Sequence, residues 1–571
     1  MSATVDSGDR PNNSEDSLTK SAGRQLFVMA LGAMAIVALL MTGLSWATSA
    51  TGSSGGLQEG VNSDTNTITG VLAQEPPQLD TSRATDQVSG MINGHVTEGL
   101  LRYDENNQLA PGVAKRWEIT ETGATFWLRE NAQWSDGTNV TAHDFVFAWQ
   151  TALSPKVASE YAFILYPVKN AEAINLGNMA LDQLGAIAID DQTLKVEFEK
   201  PIAYFDKLVA FTTYAPIKKE FYLSRDGRYG ADADDLLYNG PFMITTWVHG
   251  AHLKLERNPN YWDQERIHLD VIDFPYITSD TNTALNLFKD EKIANVSLNA
   301  ETLTNALEQG WHLNRFMDGS IFFIEFNHRD GRLTRNFHLR RAIQLAQDPA
   351  ELVYKVIKIP GYLPGQTLFP AWLKGVNGSF RQEYPPRQHK MDLKAARQHL
   401  EIARMELGLD EFPPLMMLTG DNPISNKQSE YYQSLFKKNL GLDMKIDKQI
   451  FKQRLAKMLS GEFDLVLAGW GPDFDDPMTF GDLFASWNLN NRGQYNNPEL
   501  DAQVAIAQDS LDPKTRMDAF GKIQNILYDD AVILPNYERG IVYVADDRLK
   551  GLVRRAVGTD PDYTGAYIAK D

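Results

Sequence analysis

The sequence predicts an α/β fold built from more than one packed unit, behind an apolar N-terminal segment. Three observations lead there. The chain has 571 residues, and at roughly 100–200 residues per domain this length needs two to four units. Between residues 321 and 470, helical periodicities alternate with short apolar runs, the pattern of helices connecting parallel strands. No charge appears in residues 26–46, and roughly 20 such residues suffice to span a hydrocarbon core.

Composition narrows the function classes. Hydrophobic residues make up 43% and aromatics 10%, which is a globular balance. A net charge of −19 argues against a nucleic-acid partner, whose affinity rests on lysine and arginine contacts to phosphates. The chain has no cysteine, so disulfides, thiol catalysis, iron–sulfur clusters, cysteine zinc sites and a lipid-attached cysteine are all excluded.

Residues 1–25 read as a disordered cytoplasmic leader and 26–47 as a transmembrane or signal helix. Lys20 and Arg24 precede the apolar run, which places the rest of the chain outside the cytoplasm. Ala47 and Ala50 would suit cleavage, but the run exceeds the ~7–15 residues usual in a signal peptide, which favours a retained anchor. Residues 48–66 are a Gly/Ser/Thr/Asn linker.

The globular part opens with a strand at 68–72. Hairpins are expected over 111–137, where alternation ends in the Asp136-Gly137 turn, and again over 187–198 and 239–255. Thr141 and Asp144 have capping-box spacing, and Phe145, Ala148, Trp149 and Ala152 share one helical face. A strand is expected at 321–326, then a helix with Leu339, Ala342, Ile343 and Ala346 in phase, and a short one at 351–356. Further helices start at Asp392, stopped by Gly408; at 430–440, stopped by Gly441; and at 454–460, before Gly461.

Residues 463–482, F-D-L-V-L-A-G-W-G-P-D-F-D-D-P-M-T-F-G-D, carry the strongest site signal. An apolar run at 465–468 reads as a buried strand ending at Gly469. Gly469 and Gly471 flank Trp470, so backbone amides can be exposed beside an indole, and Asp473, Asp475 and Asp476 follow on a loop. Such a strand end suits a cationic or zwitterionic ligand. Catalytic and metal patterns are missing: there is no H-E-x-x-H, no phosphate loop and no G-x-G-x-x-G after a strand. His249 and His252 form a close pair more often found by coincidence than as a metal site, and Asp232, Asp234 and Asp235 lack the order of an EF-hand. The expectation is no metal, no cofactor and no enzymatic activity.

The succession E-P-P-Q-L-D at 75, E-G-L-L at 98, P-G-V-A-K-R-W at 111, W-S-D-G-T-N-V-T-A-H-D-F at 134, N-G-P-F at 239, R-N-P-N-Y-W at 257, L-R-R-A-I at 339 and G-W-G-P-D-F-D-D-P at 469 resembles the peptide/nickel family (family 5) of extracellular solute-binding proteins. Within it, the chain is most similar to the periplasmic oligopeptide-binding proteins of ABC importers. The resemblance implies a two-lobed periplasmic-binding-protein fold (type II, cluster C), hinged, with an extra small domain. The core of lobe I would be 67–105, 236–315 and 540–571, the extra subdomain 106–235, and lobe II 316–539.

The resemblance also implies that an extended peptide is held between the lobes and passed to a membrane permease with its ATPase subunits. The receptor would be a periplasmic monomer, tethered through its N-terminal helix. Asp473 would bind the peptide's α-ammonium. Main-chain groups around Gly469, Trp470 and Gly471, and around Glu75 and Pro77 on the other lobe, would pair with the ligand backbone, and Tyr161 and Phe451 would line the cleft. One departure stands out: the arginines expected three and twelve residues before the tryptophan, which receive a carboxylate, are Leu467 and Met458, with Arg454 and Lys457 nearby as substitutes. Alternative readings are a receptor for murein peptide, signal peptide or a metal chelate, and, from another class, a secreted hydrolase.

Overall fold

The structure, a computed structural model, describes residues 59–570. The predicted leader, the transmembrane or signal helix and most of the linker lie outside the described residues. Among the described residues no helix is long and apolar enough to cross a membrane.

Residues 59–570 make one compact unit containing three main sheets. The first has five strands, in the order Val61–Asn62, Thr67–Leu72, Val271–Ile277, His252–Arg257, Phe242–Val248. Thr67–Leu72 and Val271–Ile277 run parallel although far apart in sequence. The second is antiparallel, with Ala114–Thr120, Gly123–Leu128, Thr193–Glu197 and Ala186–Asp190 in spatial order. The helix Ala142–Leu153 packs on it. Its start follows the predicted capping: the Thr141 backbone N–H donates to the Asp144 carboxylate at 2.8 Å, and Trp134 Nε1 reaches the same group at 3.2 Å.

The third sheet has seven strands and carries the 463–482 stretch. Its main path is Asn295–Leu298, Ile533–Ala545, Asn314–Phe326, Leu465–Trp470, Leu415–Gly420, Met444–Gln449, and Leu363–Pro364 pairs with Ile533–Ala545. The run at 465–468 is the buried strand the sequence predicts. Val466, Ala468 and Trp470 face one hydrophobic cluster, and Leu465 and Leu467 face the other. A strand covered on both sides has no polar face to show, which is why its sequence is a continuous apolar run.

The expected parallel unit is present in three strands, Met444–Gln449, Leu415–Gly420 and Leu465–Trp470. It does not extend through the whole sheet: Leu465–Trp470 is antiparallel to Asn314–Phe326, and the pairs on that side of it are antiparallel as well. The two long strands arrive from distant parts of the chain, and no local pattern reports their direction. The sheet also takes in residues 295–298 and 540–545, which the expected boundaries assign to lobe I. Two helices begin earlier than their periodicity suggests. One spans Pro423–Leu440, capped by the Asn422 side chain on the Ser425 N–H with Pro423 in its first turn, and the other spans Phe451–Ser460.

Candidate functional site

The strand Leu465–Trp470 is paired along its full length on one side, from Leu465 with Phe326 to Trp470 with Ile321. On the other side only Leu465 and Val466 pair, with Met417 and Leu418. Residues 467–470 therefore present a strand edge without a neighbouring strand, and Gly469 on it is exposed. An edge of unpaired N–H and C=O groups is what an extended peptide can join. The absence of a side chain at Gly469 is needed for packing as well: a Cβ there would lie 2.6 Å from the Phe322 ring.

Beyond the edge the chain turns through Gly471 and Pro472 to Asp473, whose backbone N–H is held by Thr479 Oγ1 at 2.9 Å. The Asp473 carboxylate receives one donor, the Tyr161 hydroxyl, 3.0 Å from each oxygen. Tyr161 precedes the 3₁₀ turn Ala162–Leu165 and is 2% exposed. Its ring packs against Phe163, Phe211 and Trp470, with centroids 5.9, 5.1 and 6.2 Å away. The structure thus brings together Gly469, Trp470, Gly471, Asp473 and Tyr161. Trp470 is 8% exposed, and its indole N–H is buried without a partner among the described residues, a donor left for a ligand.

Burial pushes the Asp473 carboxyl up to about 8, against the lowering effect of the Tyr161 bond. Burial and then the charge of Asp473 raise Asp482, a second acid close by. Two buried acids with few donors form a site short of positive charge, which an ammonium supplies. A pH dependence follows. Below about pH 8 the empty site holds a proton on Asp473, and an incoming ammonium must displace it, so affinity should rise roughly tenfold per pH unit toward 8. Above roughly 7.7–8.0 the peptide's own α-amino group loses its charge and affinity should fall. Calorimetry at pH 6.5 in buffers of different ionisation heat should show about one proton released per peptide bound. Affinity that stays flat from pH 5.5 to 7.5 would refute this.

Asp475 and Asp476 have other work. Asp476 caps the Met478 N–H at 3.0 Å and makes a bidentate pair with Arg516, at 2.6 and 2.9 Å. The Asp475 carbonyl accepts from Lys207 Nζ at 2.6 Å.

The remaining expected residues make contacts of their own. Glu75 and Pro77 follow the strand Thr67–Leu72, and the Glu75 carboxylate is 2.5 Å from His249 Nδ1, while His249 Nε2 is 3.0 Å from Asp232. His252 instead contacts Asp273. Among the described residues no group of three or more His, Asp or Glu is placed to hold a metal ion. Phe451 opens the helix Phe451–Ser460 and lies under the Arg454 guanidinium, 5.4 Å from its carbon. Lys457 is engaged by Asp447 at 2.6 Å.

Sequence reasoning missed Gln87, which caps this end of the site. Its side chain accepts from Arg539 at 2.9 Å and donates to Ser320 Oγ at 3.3 Å; Arg539 is also bonded to buried Asp318. A Cβ on Gly471 would lie 2.1 Å from Gln87 Nε2. Gly471→Ala should therefore displace the Gln87 amide and break both bonds, weakening ligand binding about tenfold, near the roughly 1 kcal/mol of a net hydrogen bond. The same substitution in a Gln87→Ala background should have little further effect; full additivity in that double-mutant cycle would disprove the contact.

Comparison with known proteins bears on this geometry. A family model for bacterial extracellular solute-binding proteins, family 5 Middle, matches residues 108–491. The chain belongs to that family. Among family 5 relatives, the oligopeptide-binding protein OppA of Bacillus subtilis is 31% identical over 499 residues, covering 85% of this chain and 90% of that protein. The substrate-binding domain of an oligopeptide ABC transporter from Bacillus anthracis superposes with a TM-score of 0.84 at 34% identity, covering 89% of this chain and 99% of that one. Listeria monocytogenes OppA bound to peptide also gives 0.84, at 30% identity, covering 89% of this chain and all of that one. The fold is accordingly the α/β two-lobed architecture of family 5 solute-binding proteins.

Proposed function

We propose that this chain is the peptide-capturing component of an ABC importer. The observation that carries this reading is the open edge of residues 467–470 running directly into Asp473, a buried acid whose only side-chain donor among the described residues is the Tyr161 hydroxyl. A receptor for many sequences must bind what all peptides share, namely the main chain and the charged terminus, and this edge with its acid offers both. Gly469, Trp470 and Gly471 supply main-chain partners, Asp473 holds the α-ammonium, and Tyr161 sets the acid's orientation. Glu75, Pro77 and Phe451 complete the cleft on the same reading. The names of the relatives, oligopeptide-binding and peptide-bound, agree with it.

Ligand that touches both lobes favours their closed arrangement, and closure is what a permease and its ATPase would read. On this proposal the protein is a non-catalytic, periplasmic monomer held at the membrane by residues 26–47, with residues 316–539 as lobe II and 106–235 as an added subdomain. Isothermal calorimetry with mixed tri- to pentapeptides tests it. Binding heat for free-amino peptides and none for N-acetylated ones is expected. Absence of heat with every peptide would reject the proposal, and mass spectrometry of ligand carried through purification would then identify the true cargo.

A further inference from the structure

Charge is unevenly spread over the protein. Against a net charge of −19, residues 427–457 hold eight basic side chains and three acidic ones. They lie along the outer margin of the seven-stranded sheet. Met444–Gln449 is its edge strand, paired on one side only, with Leu415–Gly420. The helix Pro423–Leu440 leads into that strand and Phe451–Ser460 leaves it, and both pack against it. Each of the three acids is taken: Glu430 by Lys448, Asp443 by Lys437 and Asp447 by Lys457, at 3.4, 2.8 and 2.6 Å. Lys438, Lys445 and Lys452, one on each element, are exposed and have no acidic partner among the described residues. Two large apolar side chains at the ends of Phe451–Ser460, Ile450 and Leu459, are 57% and 45% exposed. Lysines on an edge strand guard it against pairing with a second sheet, which accounts for Lys445 and Lys448. It does not account for Lys438 and Lys452, which lie on helices, or for the exposed isoleucine and leucine.

We propose that this face docks on the anionic headgroups of a membrane. The residue type selects the partner. Interfaces with proteins favour arginine, whose fork matches a carboxylate, and are depleted in lysine. The three free cations here are all lysines, compact charges on flexible stems spread over three elements. They suit a fluid layer of lipid phosphates, and Ile450 and Leu459 can enter its boundary with the acyl chains. Acids elsewhere on the chain do not cancel the attraction, because exposed charges more than about 8 Å apart are largely screened at physiological salt. The proposal rests on the reading of residues 26–47 as a retained anchor. Residues 48–58, between that segment and the first described residue, then extend at most about 40 Å, at ~3.3–3.6 Å each. A body held that close has a high effective concentration at the bilayer, and a weak attraction suffices to orient it.

The chain has no cysteine, so a single fluorescent label can be placed through one introduced thiol. Gln453→Cys carries it on the exposed side of Phe451–Ser460, and Asn178→Cys carries it outside this face. The full chain is added to vesicles of phosphatidylcholine, alone or mixed with phosphatidylglycerol, each doped with a lipid bearing a nitroxide on its headgroup. Quenching at 453 should be at least about threefold stronger on the mixed vesicles, and quenching at 178 weak on both. The substitutions Lys438→Gln, Lys445→Gln and Lys452→Gln together should weaken the docked state about 100-fold, at roughly fivefold per lysine, and remove that excess. High salt should do the same, and the peptide affinity of the triple variant should stay within about twofold of the parent. Equal quenching at 453 on both lipids would overturn the proposal and leave these lysines to guarding the sheet edge. An excess that survives the triple substitution would overturn the assignment to them. Alkaline carbonate extraction reads the anchor separately: a chain that washes off phosphatidylcholine vesicles yet shows the excess at 453 would refute the anchor and keep the docking face.

Discussion

Asp473→Ala is expected to raise the dissociation constant for a free-amino peptide by roughly 10²–10⁴-fold, the equivalent of the ~3–5 kcal/mol lost when one member of a buried charge pair is removed. The carboxylate stands between the buried ring of Tyr161 and the end of the open strand edge, and among the described residues Tyr161 is its only donor. An ammonium entering the alanine variant would be desolvated with no counter-charge. Asp473→Asn keeps the shape and the Tyr161 contact while removing the charge, and should lose most of the same affinity. Calorimetry checks both. A loss under about threefold in the alanine variant would show that the ammonium is held elsewhere.

The second large effect concerns stability. Asp476→Ala should destabilise the protein by about 3–5 kcal/mol, because it leaves the Arg516 guanidinium buried and unpaired. The two side chains are 5% and 6% exposed and joined through two hydrogen bonds. Arg516 also packs over Tyr204, 5.0 Å from its ring, and Tyr204 stacks on Phe474 at 5.5 Å. The pair thus anchors the loop that presents Asp473 to the body of the fold. Removing both charges in Asp476→Leu/Arg516→Met should recover most of the loss, since apolar groups of similar size need no counter-ion. Denaturant melts decide this, and a single-variant cost under about 1 kcal/mol would mean that the pair is not dry.

Much of the site was legible because it is contiguous. Glycine, tryptophan, glycine, proline and aspartate in a row after an apolar run describe a strand end, a turn and an acid within hydrogen-bond reach of each other. Helix faces were equally readable where apolar residues recur in phase, as from Leu393 to Ala403. The start of the helix at Pro423 was not, since 425–430 is polar throughout and Ile424 alone gives no apolar stripe. Its signals were Asn422 and Pro423, a cap and a first-turn proline, and not periodicity.

What the sequence by itself determined is the fold class, the buried strand at 465–468 and the composition of the ammonium end of the site. These depend on residues within one turn or one strand of each other, where φ/ψ preference and hydrophobic period act directly. What only the tertiary structure decided is which edge of that strand is open, that Tyr161 rather than Asp475 or Asp476 accompanies Asp473, and that Gln87 and Arg539 meet beside Gly471. Each of these depends on closing long loops between distant segments. Strand direction and side-chain partnership across such loops are set by how whole sheets pack, and burial then turns an ordinary aspartate into a group that needs a partner.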